Sequence, residues 1–561
     1  MKLNFNLLCI VYLFIACNTI SSSQKKNQLE TPENTLFFSK VDFKTNKITS
    51  DNYTNDLTLH KDPFLNIHFT LKEPLVKSLK SLAPHLTDEQ LLNSGNFQFT
   101  FLVNGKKVHI ENLNKGAGTL ETKTNKLTYK LPLIYPEQID FWSWFMWLKF
   151  MKLSGGEDIL TEGKHSLTVE VRSYLKDQKL KTGPILSKGT LKIEVARIKI
   201  NEQLVPVQKI KPINDWKISK VNYDTNKIEA LNRKIAEKRF DQINGIIVIK
   251  NNELLIEEYF NGANRNSLHD VRSVGKSFAS TLLGIAIQEN HINNEKALLK
   301  DFYNLRSFKN YTQKKDSVTL ESLLTMSSGF LGDDTNYNSP GNEEKMYPTK
   351  NWVDFTLNLP MEKDKKIGFD FSYFTAGVVV LGDVIHKSVP EGLVSYADKK
   401  LFKPLEITNY KWQYTPQKVG NTAGGIQLRA IDFAKYGQLY KNKGTWKDKQ
   451  ILNEKWVEKT LSKQVSLANI GLENEYYGFL FWNKTYTVNN KTYEVSYCSG
   501  RGGNKIFIFK DIPFVVVITA SAYNAPNAHS NVDKMMEEYI LPAVIDKKLE
   551  YSQNFTGIIF D

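Results

Sequence analysis

The chain has 561 residues, of which 41% are hydrophobic, so it can form two or more domains with sizeable cores. Its formal net charge of +14 at pH 7 has the sign that nucleic-acid-binding proteins carry. The basic residues are scattered, however, with no basic stripe interleaved with aromatics and no nucleic-acid-binding motif. The composition therefore indicates a solvated basic surface and argues against a nucleic-acid partner.

The N-terminus has the pattern of a secretory signal: Lys2, the apolar residues 7–16 and then a polar stretch. The apolar run is too short to span a membrane as a helix. Residues 13–17, Leu-Phe-Ile-Ala-Cys, resemble a bacterial lipoprotein box, although a Phe stands where Leu is more usual. We predict a lipoprotein-type signal peptide over residues 1–17, a lipid anchor at Cys17 and export to the bacterial cell envelope. An ordinary cleaved signal is the alternative.

The sequence offers neither an internal disulfide nor a metal site. Its three cysteines are Cys9 and Cys17 in the leader and Cys498, so the folded body cannot close a disulfide of its own. The nine histidines show no ligand spacing with Cys or carboxylates. We therefore expect no metal and no organic cofactor.

Residues 18–204 alternate between apolar and polar side chains, which is the pattern of half-buried β-strands. The clearest runs are residues 67–71, 97–103, 167–171 and 191–195. Asn104-Gly105 follows the second run and is a typical two-residue hairpin turn. Several such strands with turn signals between them predict an all-β, sandwich-like accessory domain.

One segment of this domain is strongly aromatic, namely residues 141–151, Phe-Trp-Ser-Trp-Phe-Met-Trp-Leu-Lys-Phe-Met. At helical spacing, Phe141, Trp144, Phe145 and Leu148 share one face. The run is too short to cross a bilayer. Three roles stay open: packing against the second domain, lying in a membrane interface, and lining a substrate cleft.

Residues 205–234 are polar and poor in strands, which indicates a connector. Residues 235–561 mix strands with helices. The strand-like segments are 245–249 and 254–256 near the start, and 505–509 and 514–519 near the end. Helices inserted between the first and last strands of one sheet predict an α/β (α+β) body with a helical subdomain and a cleft between them.

A candidate nucleophile lies at the start of a predicted helix in this second domain. Ser273 and Lys276 are three residues apart, and apolar residues at helical spacing follow them. A Ser and a Lys at this spacing share one helix face, so the amine reaches the hydroxyl. The helix N-terminus adds partial positive charge beside the nucleophile. The pair therefore predicts a serine acyl-transfer enzyme with a lysine base.

The Ser-x-x-Lys tetrad is a weak signal alone, because it also occurs at Ser22, Ser23 and Ser173. The first two serines lie in the polar stretch after the leader. Ser173 ends an alternating run, and residues three apart in a strand point to opposite faces. The context of Ser273 distinguishes it from these three.

Four segments around the tetrad carry a family resemblance: residues 257–262, 270–278, 319–329 and 424–439. Their sequences and their order resemble the serine β-lactamase-related hydrolases. The branch resembled comprises class C β-lactamases, D-alanyl-D-alanine peptidases, related esterases and 6-aminohexanoate-dimer hydrolase. The resemblance covers about 300 residues. It implies an antiparallel sheet with a helical subdomain, Ser273 as the nucleophile and neutral Lys276 as the general base.

The second family motif implies a proton relay. The family pattern is Phe-x-Tyr-Ser-Asn, and this chain has Phe371, Tyr373 and Thr375 at the first, third and fifth positions. By resemblance, Tyr373 passes protons between Ser273, Lys276 and the leaving group. Thr375 replaces the Asn and is expected at the substrate, where a hydroxyl hydrogen-bonds but does not equal a carboxamide. The alternative for Tyr373 is an amphipathic core tyrosine.

The third family motif, Lys-Thr-Gly or His-x-Gly, appears as Cys498-Ser499-Gly500. The resemblance implies that these residues border the substrate and that Gly500 admits its backbone. It also implies an oxyanion hole formed by the backbone N–H groups of Arg501 and Ser273. Cys498 carries no positive charge at pH 7, which disfavours β-lactam turnover and resembles the 6-aminohexanoate-dimer hydrolase branch more. A small buried filler is preferred over a redox thiol for this cysteine.

Together these features predict a serine hydrolase that cleaves an amide or ester bond of a small molecule or short peptide through an acyl-enzyme on Ser273. A D-alanyl-D-alanine peptidase or a β-lactamase is the alternative within the family. The changes at Thr375 and Cys498 also leave open a non-catalytic envelope protein that binds peptidoglycan or peptides.

Overall fold

The computed structural model of the chain describes residues 34–115, 117–137, 139, 141–525 and 527–545. The predicted signal segment, its Cys17, and Ser22 and Ser23 lie outside the described residues. Contacts between residues divide the chain into two compact units, and the division falls between Arg197 and Ile198. Each unit has its own hydrophobic core.

The first unit contains two sheets. Its strands are β1 (Leu36–Ser39), β2 (Tyr53–Thr54), β3 (Asp56–Leu59), β4 (Leu65–Thr70), β5 (Gly95–Val103), β6 (Lys106–Asn112), β7 (Thr128–Ile134), β8 (Gly163–Asp177) and β9 (Lys179–Val195). Its helices are α1 (Leu75–Leu82), α2 (Asp88–Ser94), α3 (Leu120–Thr124), α4 (Trp142–Lys152) and α5 (Gly156–Ile159). One sheet has the order β2-β1-β4-β7 and the other the order β3-β9-β8-β5-β6.

The two sheets of the first unit share one core, as expected of a sandwich. Phe69 on β4 contacts the rings of Phe97 and Phe99 on β5, at centroid distances of 5.9 and 6.2 Å. Asn104 and Gly105 have φ of +50° and +77°, as the tight turn between β5 and β6 requires. The unit is β-rich but not all-β, because five helices connect its strands. The helical period of short segments such as α1 and α2 is missed by a search for strand alternation.

The aromatic run forms α4, but it buries a different face from the one expected. Met146, Trp147 and Phe150 are buried, whereas Phe145 is exposed. The Phe150 ring stacks on Phe101 of β5 at 4.9 Å between centroids. An almost wholly apolar helix has no polar side to define its buried face, which explains the wrong prediction. The run therefore contributes to the core of its own unit, a role outside the three that were expected.

The second unit is built around one large sheet. Its longer strands are β10 (Ile243–Lys250), β11 (Glu253–Tyr259), β12 (Leu268–Asp270), β14 (Ile426–Arg429), β19 (Trp482–Val488), β20 (Lys491–Gly500), β21 (Asn504–Phe509) and β22 (Phe514–Ala520). Two-residue strands are β13 (Lys411–Trp412), β15 (Thr445–Trp446), β16 (Lys449–Gln450), β17 (Val465–Ser466) and β18 (Tyr476–Tyr477). The large sheet has eight antiparallel strands in the order β11-β10-β22-β21-β20-β19-β18-β17.

Helices and short turns connect these strands. The α-helices are α6 (Thr225–Ala236), α7 (Gly275–Gln288), α8 (Leu320–Leu324), α9 (Glu343–Met346), α10 (Trp352–Leu357), α11 (Thr375–Ser388), α12 (Gly392–Ala397), α13 (Ala430–Lys441), α14 (Glu454–Leu461), α15 (Ala528–Met535) and α16 (Leu541–Val544). Single 3-10 turns occur at Glu202–Leu204, Arg272–Val274, Leu299–Asp301, Leu305–Ser307, Gln313–Ser317 and Ala468–Ile470. Five-residue π-helical segments occur at Asp398–Phe402 and Met536–Ile540.

The eight-stranded sheet is buried on both faces. Alternate residues of β10 enter different cores: Ile247 and Ile249 pack with α7, α11 and α13, whereas Ile246 and Val248 pack with α6, α15 and α16. Strands buried on both faces consist of nearly continuous apolar residues, as in β10 and β22. The predicted hairpin and C-terminal strands are confirmed, and so is the mixed fold class with its antiparallel sheet.

The segment expected to be a polar connector belongs to the second unit. Within it, α6 buries Ile228 and Leu231 against the sheet. Just before α6, Ser219 donates its backbone N–H to the Leu254 carbonyl and Leu254 donates to the Lys217 carbonyl, both at 2.8 Å. These bonds add a short stretch of chain beside the edge strand β11. Two apolar residues three apart in a run rich in Lys and Asn are a weak helical signal.

Among the helices of the described residues, none is long and apolar enough to cross a membrane. The longest are α7 and α11 of 14 residues each, about 21 Å of helix, whereas a bilayer core requires roughly 20 residues. Both are packed in the core of the second unit.

The corrected face of α4 can be tested with a pair of substitutions. Phe150→Ala removes a fully buried ring and is expected to lower the free energy of unfolding of the first unit by about 3–5 kcal/mol. Phe145→Ala, the matched control on the exposed face, should cost less than about 1 kcal/mol. Hydrogen exchange of the α4 and β5 amides in the whole chain measures both. Equal effects of the two substitutions would contradict this packing.

Candidate active site

Ser273 lies in the 3-10 turn Arg272–Val274, and α7 begins immediately after it at Gly275. Arg272 has a φ of +53°, a conformation that non-glycine residues rarely adopt. The Asp270 carboxylate supports it by accepting the Arg272 backbone N–H at 3.1 Å. The helical environment expected for the nucleophile is thus present, and a strained residue directly precedes it.

Two glycines allow the backbone to close tightly on this turn. A Cβ at Gly500, the last residue of β20, would lie 2.0 Å from the Val271 carbonyl oxygen. Gly424 has a φ of +151°, and a Cβ there would lie 2.6 Å from the Arg272 carbonyl oxygen. Both glycines are therefore required by the nucleophile turn itself. Gly500 therefore packs directly on the turn, and its expected place beside the substrate backbone stays a prediction.

Lys276 reaches Ser273 as its spacing predicts. Its Nζ donates a hydrogen bond to Ser273 Oγ at 2.7 Å and another to the Ala423 carbonyl at 2.6 Å. The lysine is 2% exposed, so these two oxygens replace the water that its amine would otherwise bind. A buried amine in contact with a serine hydroxyl is positioned to take the hydroxyl proton.

Tyr373 is the third residue brought to this cluster. Its ring centroid is 5.4 Å from Lys276 Nζ, and its ring stacks on Trp482 at 5.9 Å with an interplanar angle of 27°. Tyr373 lies two residues before α11, which begins at Thr375. The structure therefore brings Ser273, Lys276 and Tyr373 together from two segments that are far apart in the chain.

Thr375 and Cys498 belong to the second and third motifs of the resemblance but do not face the cleft. Thr375 has no exposed surface, and its Oγ1 has no hydrogen-bond partner among the described residues. The Cys498 thiol is also fully buried, and burial raises its pKa to about 12. A side chain without accessible surface cannot touch a ligand, which corrects the expected substrate contacts of both residues. The alternative of a buried filler describes Cys498 better than a redox thiol.

A cleft of about 510 Å³ opens in front of Ser273. Ser499 lies half-buried on β20 opposite Lys505, one residue before the glycine that packs on the turn. Arg501 lies in the cleft wall, and its Nε donates to the Tyr523 carbonyl at 2.8 Å. The proposed pairing of the Arg501 and Ser273 backbone N–H groups stays a prediction. The lining comprises Asp270, Arg272, Ser273, Glu343, Glu344, Tyr347, Trp352, Gln413, Asn421, Ala423, Gly424, Arg501, Tyr523 and Asn524.

The cleft carries charges of both signs that the sequence alone did not reveal. Glu343 and Glu344, on α9, form no ion pair with another of the described residues. The Tyr347 hydroxyl donates to Glu343 Oε2 at 2.7 Å, and the Tyr347 ring lies 5.5 Å from that of Trp352. Burial and the Glu343 charge raise the Tyr347 pKa, so its hydroxyl stays protonated and donates. This wall combines two carboxylates with two aromatic rings.

The opposite charge comes from two arginines. Arg272 is 3.7 Å from the Asp270 carboxylate and stacks its guanidinium over Tyr523 at 4.5 Å. Arg501 has no carboxylate partner within the described residues. The wall residues come from short helical segments and loops that are too short to show a period, so nothing in the spacing of the sequence could have located them.

Within the described part of the chain, no group of three or more His, Cys, Asp or Glu residues could hold a metal ion. The polar groups around Ser273 are an amine, a phenol and backbone amides, which are the groups that acyl transfer uses without a metal. In the first unit, the tetrad at Ser173 lies on β8 with Ser173 buried and Lys176 exposed, so this pair does not meet.

The fold and this site define the class of protein. The family model described as Beta-lactamase matches residues 232–537, more than half of the chain. The chain therefore belongs to the β-lactamase family, whose members are mostly serine hydrolases. The matched region begins inside α6 and ends within the π-helical segment after α15.

Individual relatives are distant. The chain is 22% identical over 194 residues to the protein flp of Staphylococcus aureus, which covers 33% of this chain and 37% of that protein. The chain thus spans about a third of the length of the curated relatives that it matches. A class C β-lactamase from Rhodobacter sphaeroides is 14% identical, with a TM-score of 0.41 over 55% of this chain and 97% of that one. An octameric penicillin-binding protein homologue from Pyrococcus abyssi is 17% identical, with a TM-score of 0.42 over 55% and 76%.

The close packing at Gly500 provides a test of how the nucleophile is held. Gly500→Ala adds a methyl group that must displace the Val271 carbonyl and with it the turn that carries Ser273. Because a misplacement of about 1 Å lowers rates roughly 100-fold, we expect acylation of Ser273 by a fluorophosphonate to slow by that factor. Thr492→Ala, at the exposed start of the same strand, is the matched control and should react at the wild-type rate. A Gly500→Ala protein that is acylated normally would show that the turn is not held by this contact.

Proposed function

We propose that this protein is a serine hydrolase that cleaves an amide or ester bond of a small molecule or short peptide through an acyl-enzyme on Ser273. One observation carries the proposal: the buried amine of Lys276 lies 2.7 Å from the hydroxyl of a serine that lines an open cleft. Membership of the β-lactamase family supports the reaction class.

The cluster accounts for each proton in such a reaction. Ser273 Oγ attacks the substrate carbonyl carbon while its proton passes to Lys276 Nζ. The proton then moves through Tyr373 to the leaving nitrogen or oxygen, the bond to the acyl carbon breaks, and an acyl-enzyme remains. Water next attacks this ester, gives one proton to the same relay and releases the acid together with free Ser273. In both steps the backbone N–H groups of Ser273 and Arg501 would stabilise the charge on the carbonyl oxygen.

The two charged walls favour a short substrate with charged ends. Glu343 and Glu344 would accept hydrogen bonds from an ammonium group, and the Trp352 ring beside them adds a cation–π contact. Arg501 would pair with a carboxylate on the other side. A short amide bearing an amine and a carboxylate, as the 6-aminohexanoate dimer does, therefore fits the chemistry of this cleft.

A D-alanyl-D-alanine peptidase or β-lactamase is a second candidate, and one observation favours it. The position of Cys498 carries no positive charge, but Arg272 and Arg501 provide positive charges elsewhere in the cleft. A terminal carboxylate could pair with either arginine, although Asp270 already lies 3.7 Å from the first. Substrates that lack an amine but keep the carboxylate distinguish the two candidates, because only the peptidase or β-lactamase should cleave them well.

The nucleophile is tested by covalent labelling. Wild-type protein exposed to a fluorophosphonate should gain the mass of one adduct, and Ser273→Ala should gain none while remaining folded. Ser173→Ala removes the other described Ser-x-x-Lys serine and is the matched control, so it should label like wild type. Lys276→Met should label roughly 100-fold more slowly, because general-base assistance contributes about that factor. An unlabelled, folded wild-type protein would favour a non-catalytic binding protein.

The acidic wall is tested with paired substrates. We expect the double variant Glu343→Gln, Glu344→Gln to lose roughly tenfold in kcat/KM toward 6-aminohexanoyl p-nitroanilide, the equivalent of about 1.4 kcal/mol for a lost charged contact. Hydrolysis of the N-acetylated analogue, which has no ammonium group, should change less than about twofold. Glu473→Gln, an exposed glutamate outside the cleft, is the control. Equal losses on both substrates would exclude ammonium recognition by these glutamates.

A further inference from the structure

Asp334 lies in the loop that runs beside the Tyr373 segment, and it holds that segment on both sides of Phe374. Its backbone N–H donates to the Tyr373 carbonyl at 2.9 Å. Its Oδ2 accepts the backbone N–H of Thr375 at 2.7 Å. The main chain at Tyr373 is therefore fixed by one residue that lies about forty positions earlier in the sequence.

The same carboxylate caps α11. The first turn of a helix has backbone N–H groups without partners inside the helix, and Phe374 at the N-cap position has no side chain that could accept one. Asp334 provides this acceptor from another loop, with the negative charge that a helix N-terminus favours. Because the capped residue follows Tyr373 by two positions, the cap also restrains the tyrosine.

The second oxygen of the carboxylate reaches the cleft wall. Asp334 Oδ1 accepts the backbone N–H of Glu343 at 2.8 Å, where α9 begins. Glu343 and its neighbour Glu344 line the cleft. One side chain thus joins the segment of the predicted proton relay to the acidic wall.

Packing around the loop leaves little freedom for another arrangement. A Cβ at Gly332 would lie 2.2 Å from the Phe374 ring, so the ring rests directly on the loop backbone. The Ser372 hydroxyl donates to the Gly332 carbonyl at 2.7 Å, and the Ser372 backbone N–H donates to the Met326 carbonyl at 2.8 Å. Every residue from Ser372 to Thr375 therefore contacts the segment that contains Asp334.

The Asp334 carboxyl lies among charged groups of both signs. Burial raises the pKa of its carboxyl, and the Glu343 carboxylate raises it further, whereas the Thr375 hydrogen bond and the Lys276 amine lower it.

We propose that Asp334 is a positioning residue that holds Tyr373 against the Ser273–Lys276 pair. The inference rests on the proposed function, because it assigns Asp334 to the acyl transfer at Ser273. It explains how the relay is held although Thr375, at the position of the family Asn, is turned away from the cleft.

The test uses substitutions of the carboxylate in the full chain. Asp334→Asn removes the charge and keeps one oxygen that can accept either N–H but not both. Asp334→Ala removes both acceptors, and Asp334→Glu keeps the charge. Asp354→Asn, an exposed aspartate in the first turn of α10, is the matched control. The measurements are kcat and KM for a neutral p-nitrophenyl ester, with thermal unfolding followed by circular dichroism to measure the folded fraction.

We expect kcat to fall roughly tenfold in Asp334→Asn and roughly 100-fold in Asp334→Ala, with KM within about twofold of wild type. Asp334→Glu keeps two acceptor oxygens and should recover most of the lost kcat. The control should match wild type in every measurement.

Two outcomes would overturn the proposal. An Asp334→Asn protein with wild-type kcat would show that the residue has no part in the reaction. A kcat that returns to the wild-type value once the folded fraction is taken into account would reduce Asp334 to a structural helix cap. If Asp334→Ala does not fold, the Asn and Glu variants still test the proposal. Failure of the proposed function is separate, since wild-type protein would then form no adduct with a fluorophosphonate.

Discussion

The contact on which the site depends is the backbone packing around the turn that presents Ser273. Gly424 and Gly500 approach this turn so closely that a single methyl group at either position would overlap a carbonyl group. Protein interiors are packed too densely to absorb such an overlap without movement. The end of β20 and the segment before β14 are thereby fixed against the start of α7, and the geometry of the nucleophile follows from that arrangement.

The segment that packs on the turn also provides a hydrogen-bond acceptor for Lys276. Ala423, next to Gly424, offers the carbonyl that accepts a hydrogen bond from the buried Lys276 amine. A buried amine with too few partners would be strongly destabilising, so this carbonyl helps to keep the base beside Ser273. Two adjacent residues therefore have different roles: Gly424 packs on the turn, and Ala423 accepts a hydrogen bond from the Lys276 amine. Neither role needs a particular side chain at position 423, because backbone groups perform both.

The parts of the molecule that follow a simple period were predictable from the sequence. The alternation along β4, β5 and β8 and the apolar runs of β10 and β22 identify strands, because burial of one or both sheet faces imposes these patterns. The spacing of Ser273 and Lys276 works in the same way, since a single helical turn brings them together. Such signals depend on neighbours along the chain and need no knowledge of the rest of the fold.

What escaped prediction depends on contacts between distant segments. Cys498 and Ser499 lie at the expected place on the strand, but which side chain enters the core is decided by the register of β20 against its neighbours. The buried face of α4 is set by contact with Phe101 on β5, and the charged walls of the cleft are short helical segments and loops. Asp334 is found by none of the periodic patterns, because its partners lie near positions 343 and 373.

The short stretch beside β11 has a consequence for how this protein behaves at high concentration. Exposed edge strands attract the edges of other molecules and promote aggregation. Here Lys217 and Ser219 occupy the backbone groups of Leu254 on one edge, while the opposite edge ends in β17, which is only two residues long. An eight-stranded sheet is thus left with little free edge for another chain to extend, so the second unit gains protection from sheet-to-sheet association through its own N-terminal segment.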